Sequence, residues 1–178
     1  IRVLTDNVVA RCKLKVIAET DLNTQIPNRN AYENHMHEYP LRCANSLSCV
    51  YVDVNGLHEL NNTKGHDAGD VMLKIVAQEM TKIFGRKDTY RIGGDEFALI
   101  VNGEVDAEWC AHRMETIKSI IRQTYVLEGQ TIDISTSCGV VCYPADSADV
   151  RELRILADQR MYEDKQKTGS SRSIKQKI

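Results

Sequence analysis

The sequence predicts an α+β domain, a central and mainly antiparallel sheet covered by helices. Three observations predict it. "SCVYVDVN" (48–55) alternates, with Val50, Val52 and Val54 on one side and Tyr51 and Asp53 on the other, which is the period of a strand. Two more strand-like runs, 89–92 and 96–102, flank Gly93-Gly94, residues that suit a tight hairpin. Segments with apolar residues at helical spacing lie between and after these runs. Hairpins mixed with crossover helices make a sheet with helices mainly on its faces.

Taken in order, residues 1–20 read as a helix with Val3, Ala10 and Ile17 seven apart, too short and broken for a coiled coil. It reads as a lead-in from an upstream module. It either pairs with a second copy or packs on its own domain, and the sequence leaves both open. "DLNTQIPNRNAY" (21–32) is rich in turn residues, and Asn28 suits the cap of a helix reaching about residue 45, with Pro40 as a kink or stop. After the 48–55 strand come a short polar helix (57–62), a loop "KGHDAGD" and a helix over about 67–84. Beyond the hairpin, a helix is expected over 105–124, a single strand over 131–144 and a last helix over 149–166. Trp109 and the methionines follow helical spacing and read as core. The tail from 169 to 178 is polar and reads as loose.

The 178 residues suit one domain plus a short extension, and 42% hydrophobic content is enough for a core. A net charge of −2 provides no basic footprint for nucleic acid or an anionic membrane. The six cysteines form no C-x-x-C pair and read as reduced, mostly buried thiols of a cytoplasmic protein. No apolar run reaches membrane-spanning length. His35 and His37, two apart on a helix, face different ways and do not suggest a metal pair.

The informative residues are acids. Asp53 closes the first strand, and Asp95 and Glu96 sit at the hairpin tip. If those strands are neighbours, the carboxylates meet at one rim of the sheet. One or two carboxylates plus substrate phosphates are what Mg²⁺ takes, and two ions about 4 Å apart can clamp a phosphoryl transfer. Gly93 and Gly94, lacking side chains, let a base or phosphate approach the backbone. A lone Asp-Glu pair at a hairpin tip is ordinarily solvated charge, so the surrounding pattern has to decide.

"RIGGDEF" (91–97) resembles the signature of the GGDEF family of diguanylate cyclases. "DLNTQIPNR" (21–29), "GHDAGD" (65–70) and "ADQRMYEDK" (157–165) resemble its other motifs in order, so the likeness covers about residues 20–168. It implies a five-stranded, mainly antiparallel sheet of the nucleotide-cyclase or polymerase-palm kind. It also implies condensation of two GTP into cyclic di-GMP and two pyrophosphates, by two domains facing each other as a homodimer. In that likeness Asp53, Asp95, Glu96 and the Val54 carbonyl match the holders of two Mg²⁺ (or Mn²⁺) ions per half-site. Glu96 matches the acid acting on the attacking hydroxyl. Asn61 and Asp70 match the guanine readers, Lys165 the cation on the terminal phosphates, and Leu57, His58, Gly93 and Gly94 the rest of the nucleotide site. A carboxylate at 70 suits guanine, whose N1–H and amino group donate.

The chain departs from the family pattern at Asn23 and Gln25. It has Leu57-His58 for Phe-Lys, Asn55 and Asn62 where Asp is common, and Gly169 where an Arg is expected, with Arg172 as a candidate substitute. "FGRKDTYR" (84–91) keeps Asp88 but has Gly85 where the R-x-x-D product site has Arg, implying weak or absent feedback through that site. The other reading is a catalytically weak domain that binds GTP and regulates a neighbour.

Overall fold

Both faces of one apolar strand are buried, and the rest of the chain is arranged around it. The computed structural model describes residues 2–42, 47–102, 106–121, 124–127 and 130–167. The central strand is β1 (Leu47–Val54), in which Cys49 to Val54 are at most 5% exposed. Helices α1 (Arg2–Ala18) and α2 (Arg29–Arg42) precede it, and α3 (Leu57–Lys64) and α4 (His66–Phe84) follow. A single 3₁₀ turn at Arg86–Asp88 leads into the hairpin β2 (Thr89–Arg91) and β3 (Glu96–Asn102). Then come α5 (Ala107–Ile121), β4 (Thr124–Leu127), β5 (Gln130–Asp133), β6 (Thr136–Tyr143) and α6 (Val150–Lys167).

The main sheet runs β2-β3-β1-β6 and every pairing is antiparallel. Alternation along β1 divides the core in two. Val50, Val52 and Val54 join Phe97 and Leu99 beneath α4, with Met72, Leu73, Val76 and Met80, and take in Met114 of α5. Cys49 and Tyr51 point the other way, into a second cluster with Tyr32 and Met36 of α2 and Leu153, Ala157 and Met161 of α6. The result is a three-layer arrangement with helices on both faces of the sheet.

Several expectations need correction. The main sheet has four strands among the described residues rather than five, because β4 and β5 pair with each other as a separate ribbon. The helix expected over 105–124 ends at Ile121, and Thr124 begins β4. The strand expected over 131–144 breaks at 134–135. There Ile134 turns into the core, and Ser135 takes hydrogen bonds from the backbone and side-chain amides of Asn55. "GHDAGD" is the first turn of α4 and not a loop. Gly65, at φ 86°, ends α3 with its N–H on the Asn61 carbonyl and starts α4 at the next residue. Pro40 does not stop α2, which continues to Arg42. Trp109 is 38% exposed, edge-on to Phe84, instead of lying in the core. Val105, Gly169, Arg172 and the tail lie outside the described residues.

Along α1, residues 7–18 are exposed, including Val8, Val9, Leu14, Val16 and Ile17, so this stretch buries no face against its own domain. Its C-terminal end is tethered by Asn28, whose amide donates to the Ala18 carbonyl at 2.9 Å while its oxygen caps α2 at the Ala31 N–H.

Helix α6 lies unusually close to β6. A Cβ at Gly139 would sit 1.9 Å from the Ala157 carbonyl oxygen and 2.6 Å from the Met161 nitrogen. Backbone atoms cannot swing aside, so Gly139→Ala must lift the helix. It is expected to destabilise the fold by about 1–3 kcal/mol. A urea midpoint unchanged from the parent would contradict this close approach.

Candidate active site

Asp53 is the one charged residue of β1, at 2% exposure. A buried carboxylate is costly unless it is paired. Its partner is Lys165 near the end of α6, itself 8% exposed, whose ammonium donates to Asp53 Oδ1. In the family likeness Lys165 matches the cation on the terminal phosphates; in the structure its ammonium meets Asp53. The tight seat of α6 on Gly139 carries Lys165 to this spot, because Gly139 pairs with Tyr51, two residues before Asp53 on the same face.

The β1–β3 register places Asp53 directly opposite Glu96. Such cross-strand neighbours have Cβ atoms about 5 Å apart. The Val54 N–H donates to the Asp95 carbonyl at 2.8 Å, so the hairpin tip is stitched to the end of β1. The tip turns through Ile92–Asp95 with Ile92 and Gly93 N–H groups both on the Glu96 carbonyl. A Cβ at Gly93 would lie 2.5 Å from Glu96 Oε2, so the glycine leaves room for that carboxylate to lie over the turn. A Cβ at Gly94 would meet nothing within 4 Å, so that backbone stays approachable.

Arg91 braces the tip. Its guanidinium donates to the Gly94 carbonyl at 2.8 Å and to Asp21 Oδ1 at 3.1 Å, and its backbone N–H bonds to the Pro27 carbonyl. Asp21 also accepts from the Thr24 N–H and hydroxyl. Burial pushes the Asp21 carboxyl up, but the Thr24 hydrogen bonds and the Arg91 charge outweigh it and hold it below the ordinary carboxylate range. Gln25, in the same turn, has a left-handed φ of 60°, a conformation that glycine adopts more easily.

The residues expected to read a base gather at the α3–α4 corner. Asn61 lies on α3 against Gly69 of α4, where a Cβ would fall 2.0 Å from Asn61 Oδ1 and 3.0 Å from Leu57 Cδ1. Asn61 Oδ1 is buried without a hydrogen-bond partner. Gly69 thus makes the room Asn61 occupies, and its signal was already present as the second glycine of "GHDAGD". Asp70 is exposed beside it and accepts from Asn23 Nδ2 at 3.0 Å. Leu57 is in the core at the start of α3, whereas His58 is exposed, its Nε2 accepting from the Asn62 amide at 3.0 Å. Asn55, another departure, has a structural role. Its amide donates to Ser135 Oγ and its oxygen accepts from Ser137 Oγ, a pair of bonds that a carboxylate cannot make.

Among the described residues, no three acidic, histidine or cysteine side chains stand close enough to hold a metal ion by themselves. The rim acids would therefore need other ligands to complete a metal site. The donors at the rim are still hard oxygens, one buried carboxylate with two acids on the facing turn. That set fits a small divalent cation completed by phosphate oxygens and does not fit an all-protein cage.

Comparison with known families matches residues 18–171 to the family described as "Diguanylate cyclase, GGDEF domain". The chain belongs to the GGDEF family. Among curated relatives of this GGDEF domain, a bifunctional diguanylate cyclase/cyclic di-GMP phosphodiesterase, MucR of Pseudomonas aeruginosa, is 31% identical over 86% of the chain and 23% of its own length. Diguanylate cyclase A of Treponema denticola is 30% identical over 68% of the chain and 33% of its own length. The chain thus spans at most a third of either relative. The coiled coil and GGDEF domain of DgcB from Caulobacter crescentus, solved in complex with c-di-GMP, superposes with a TM-score of 0.79 over 93% of this chain and 91% of that one. At 20% identity it shows the shared fold.

The Asp21–Arg91 brace has a pH signature. Because folding lowers the Asp21 pKa, its stabilisation is complete above the ordinary carboxylate value and is lost as pH falls through the folded one. Asp21→Ala is expected to cost on the order of 1–2 kcal/mol at neutral pH. The gap to the parent should narrow on acidification in urea titrations. A gap that stays constant with pH would contradict this role.

Proposed function

We propose that this GGDEF domain is one half of a diguanylate cyclase. Each copy binds one GTP, and two copies face each other. Each 3'-hydroxyl then attacks the α-phosphate of the opposite nucleotide, two phosphodiester bonds form and two pyrophosphates leave as cyclic di-GMP closes. The observation that carries the reading is the register that sets Asp53 opposite Glu96 at an open hairpin tip.

The roles follow from position. Asn61 and Asp70 read guanine: the buried, unpartnered Asn61 oxygen suits a donor on the base, and the Asp70 carboxylate suits N1–H and the amino group. The approachable Gly94 backbone leaves space for the phosphates. Asp53, Asp95 and the Val54 carbonyl are the groups to hold Mg²⁺ or Mn²⁺. When bound, such a cation supplies positive charge against the phosphoryl oxygens. Glu96, its carboxylate folded over Gly93, is the general base that takes the proton of the attacking hydroxyl. Lys165 offers its charge to the terminal phosphates when it leaves Asp53. The place of Glu96 at the hairpin tip suits a reaction that needs a second protomer's nucleotide. In the full-length protein an upstream sensory module would set how often two such domains meet in the cytoplasm. No helix among the described residues is long and apolar enough to cross a membrane.

His58 favours the alternative of a GTP-binding regulatory domain with little turnover, because a histidine hydrogen-bonded to Asn62 replaces a lysine at that position. One experiment separates the two readings. Incubated with GTP and Mg²⁺ at high protein concentration, the protein is expected to release cyclic di-GMP. Glu96→Gln should reduce turnover by about 10²–10⁴-fold with GTP binding retained. GTP binding without product from the parent would leave only the regulatory reading, and full activity of the variant would remove Glu96 from the chemistry.

A further inference from the structure

The turn at 21–25 reaches the base-reading corner through Asn23, a residue that the sequence analysis counted as a departure from the family pattern. Its amide nitrogen donates to Asp70 Oδ1 at 3.0 Å across 47 positions of sequence. Asn23 is half-buried and Asp70 is exposed, so this bond adds little to the stability of the fold. What it does is fix the carboxylate. An exposed aspartate otherwise samples several rotamers, and ordering it costs free energy at the moment of binding.

The turn that carries Asn23 is held at several points. Asp21 Oδ1 accepts from the Thr24 N–H at 2.8 Å, the Gln25 N–H bonds to the Asp21 carbonyl at 2.8 Å, and the Gln25 amide bonds to the Leu22 carbonyl at 2.7 Å. Arg91 fastens Asp21 to the Gly94 carbonyl of the signature turn. Hydrogen bonds therefore run from the hairpin tip through Arg91 to Asp21, and the turn that Asp21 closes carries Asn23 to Asp70. We propose that Asn23 is a positioning residue for base recognition: it holds one oxygen of Asp70 and so presents the other to the donor edge of guanine.

This inference rests on the reading of the domain as a GTP site, and the test separates the two. GTP and inorganic tripolyphosphate are titrated calorimetrically into the parent, Asn23→Ala and Asn23→Asp. Tripolyphosphate engages the phosphate region and carries no base. Asn23→Asp is nearly isosteric, keeps the turn and sets a carboxylate against Asp70. It is expected to weaken GTP binding by about 10-fold, and Asn23→Ala by about 3-fold, with tripolyphosphate affinity and the unfolding midpoint unchanged. Equal GTP affinity in parent and variants overturns the inference alone. Parallel loss of both ligands, or a fall in unfolding midpoint that accounts for the loss, assigns Asn23 to the fold only and also overturns it. A parent that binds no GTP overturns the functional reading, and the inference falls with it.

Discussion

Everything at the rim depends on one buried charge, Asp53. The strand that carries it is apolar and covered on both faces, so its carboxylate has no water to fall back on. A hydrophobic side chain at 53 would be cheaper for the fold, because a buried ion pair seldom stabilises more than the apolar pair it replaces. The domain instead bears the desolvation of Asp53 and brings a lysine 112 positions away to neutralise it. That arrangement makes sense for a carboxylate meant to meet a different cation. In the proposed cyclase Lys165 would hold that charge until the cation binds.

The geometry that permits this is set by close backbone approaches more than by polar chemistry. Gly139 admits α6, and α6 delivers Lys165. Gly93 admits the Glu96 carboxylate, and Gly69 admits Asn61. A methyl group would meet the backbone of α6 at Gly139, the Glu96 carboxylate at Gly93 and the Asn61 amide oxygen at Gly69. The ladder register then fixes Glu96 opposite Asp53, since a slip of β3 by one residue would turn Glu96 to the α4 face. Acid pair and brace thus meet where the end of β1 faces the hairpin tip, and the 21–25 turn joins the base corner to them through Asn23.

Much of this was legible in the sequence, for physical reasons. Alternation in 48–55 disclosed β1 and its two faces, and the strand runs around Gly93-Gly94 disclosed the hairpin. The ordered motifs carried the likeness to the GGDEF family, and Asn28 acted as the cap it looked like. The failures have causes too. Four-residue strands such as 124–127 hold too little pattern to separate from a helix end. The glycines of "GHDAGD" suggested a loop, but the positive φ of Gly65 confines the break to one residue. The Lys165–Asp53 pair and the Asn23–Asp70 bond join residues remote in sequence and leave no local signal. Asn23 looked like a lost family residue because its use exists only in three dimensions.

The central claim is that Asp53 exchanges Lys165 for a divalent cation when nucleotide binds. Mn²⁺ titrated against the protein with a non-hydrolysable GTP analogue, with free Mn²⁺ read by electron paramagnetic resonance, tests it directly. The account predicts binding by the parent and at least roughly tenfold weaker binding by folded Asp53→Asn. Mn²⁺ bound equally by the two proteins would contradict it.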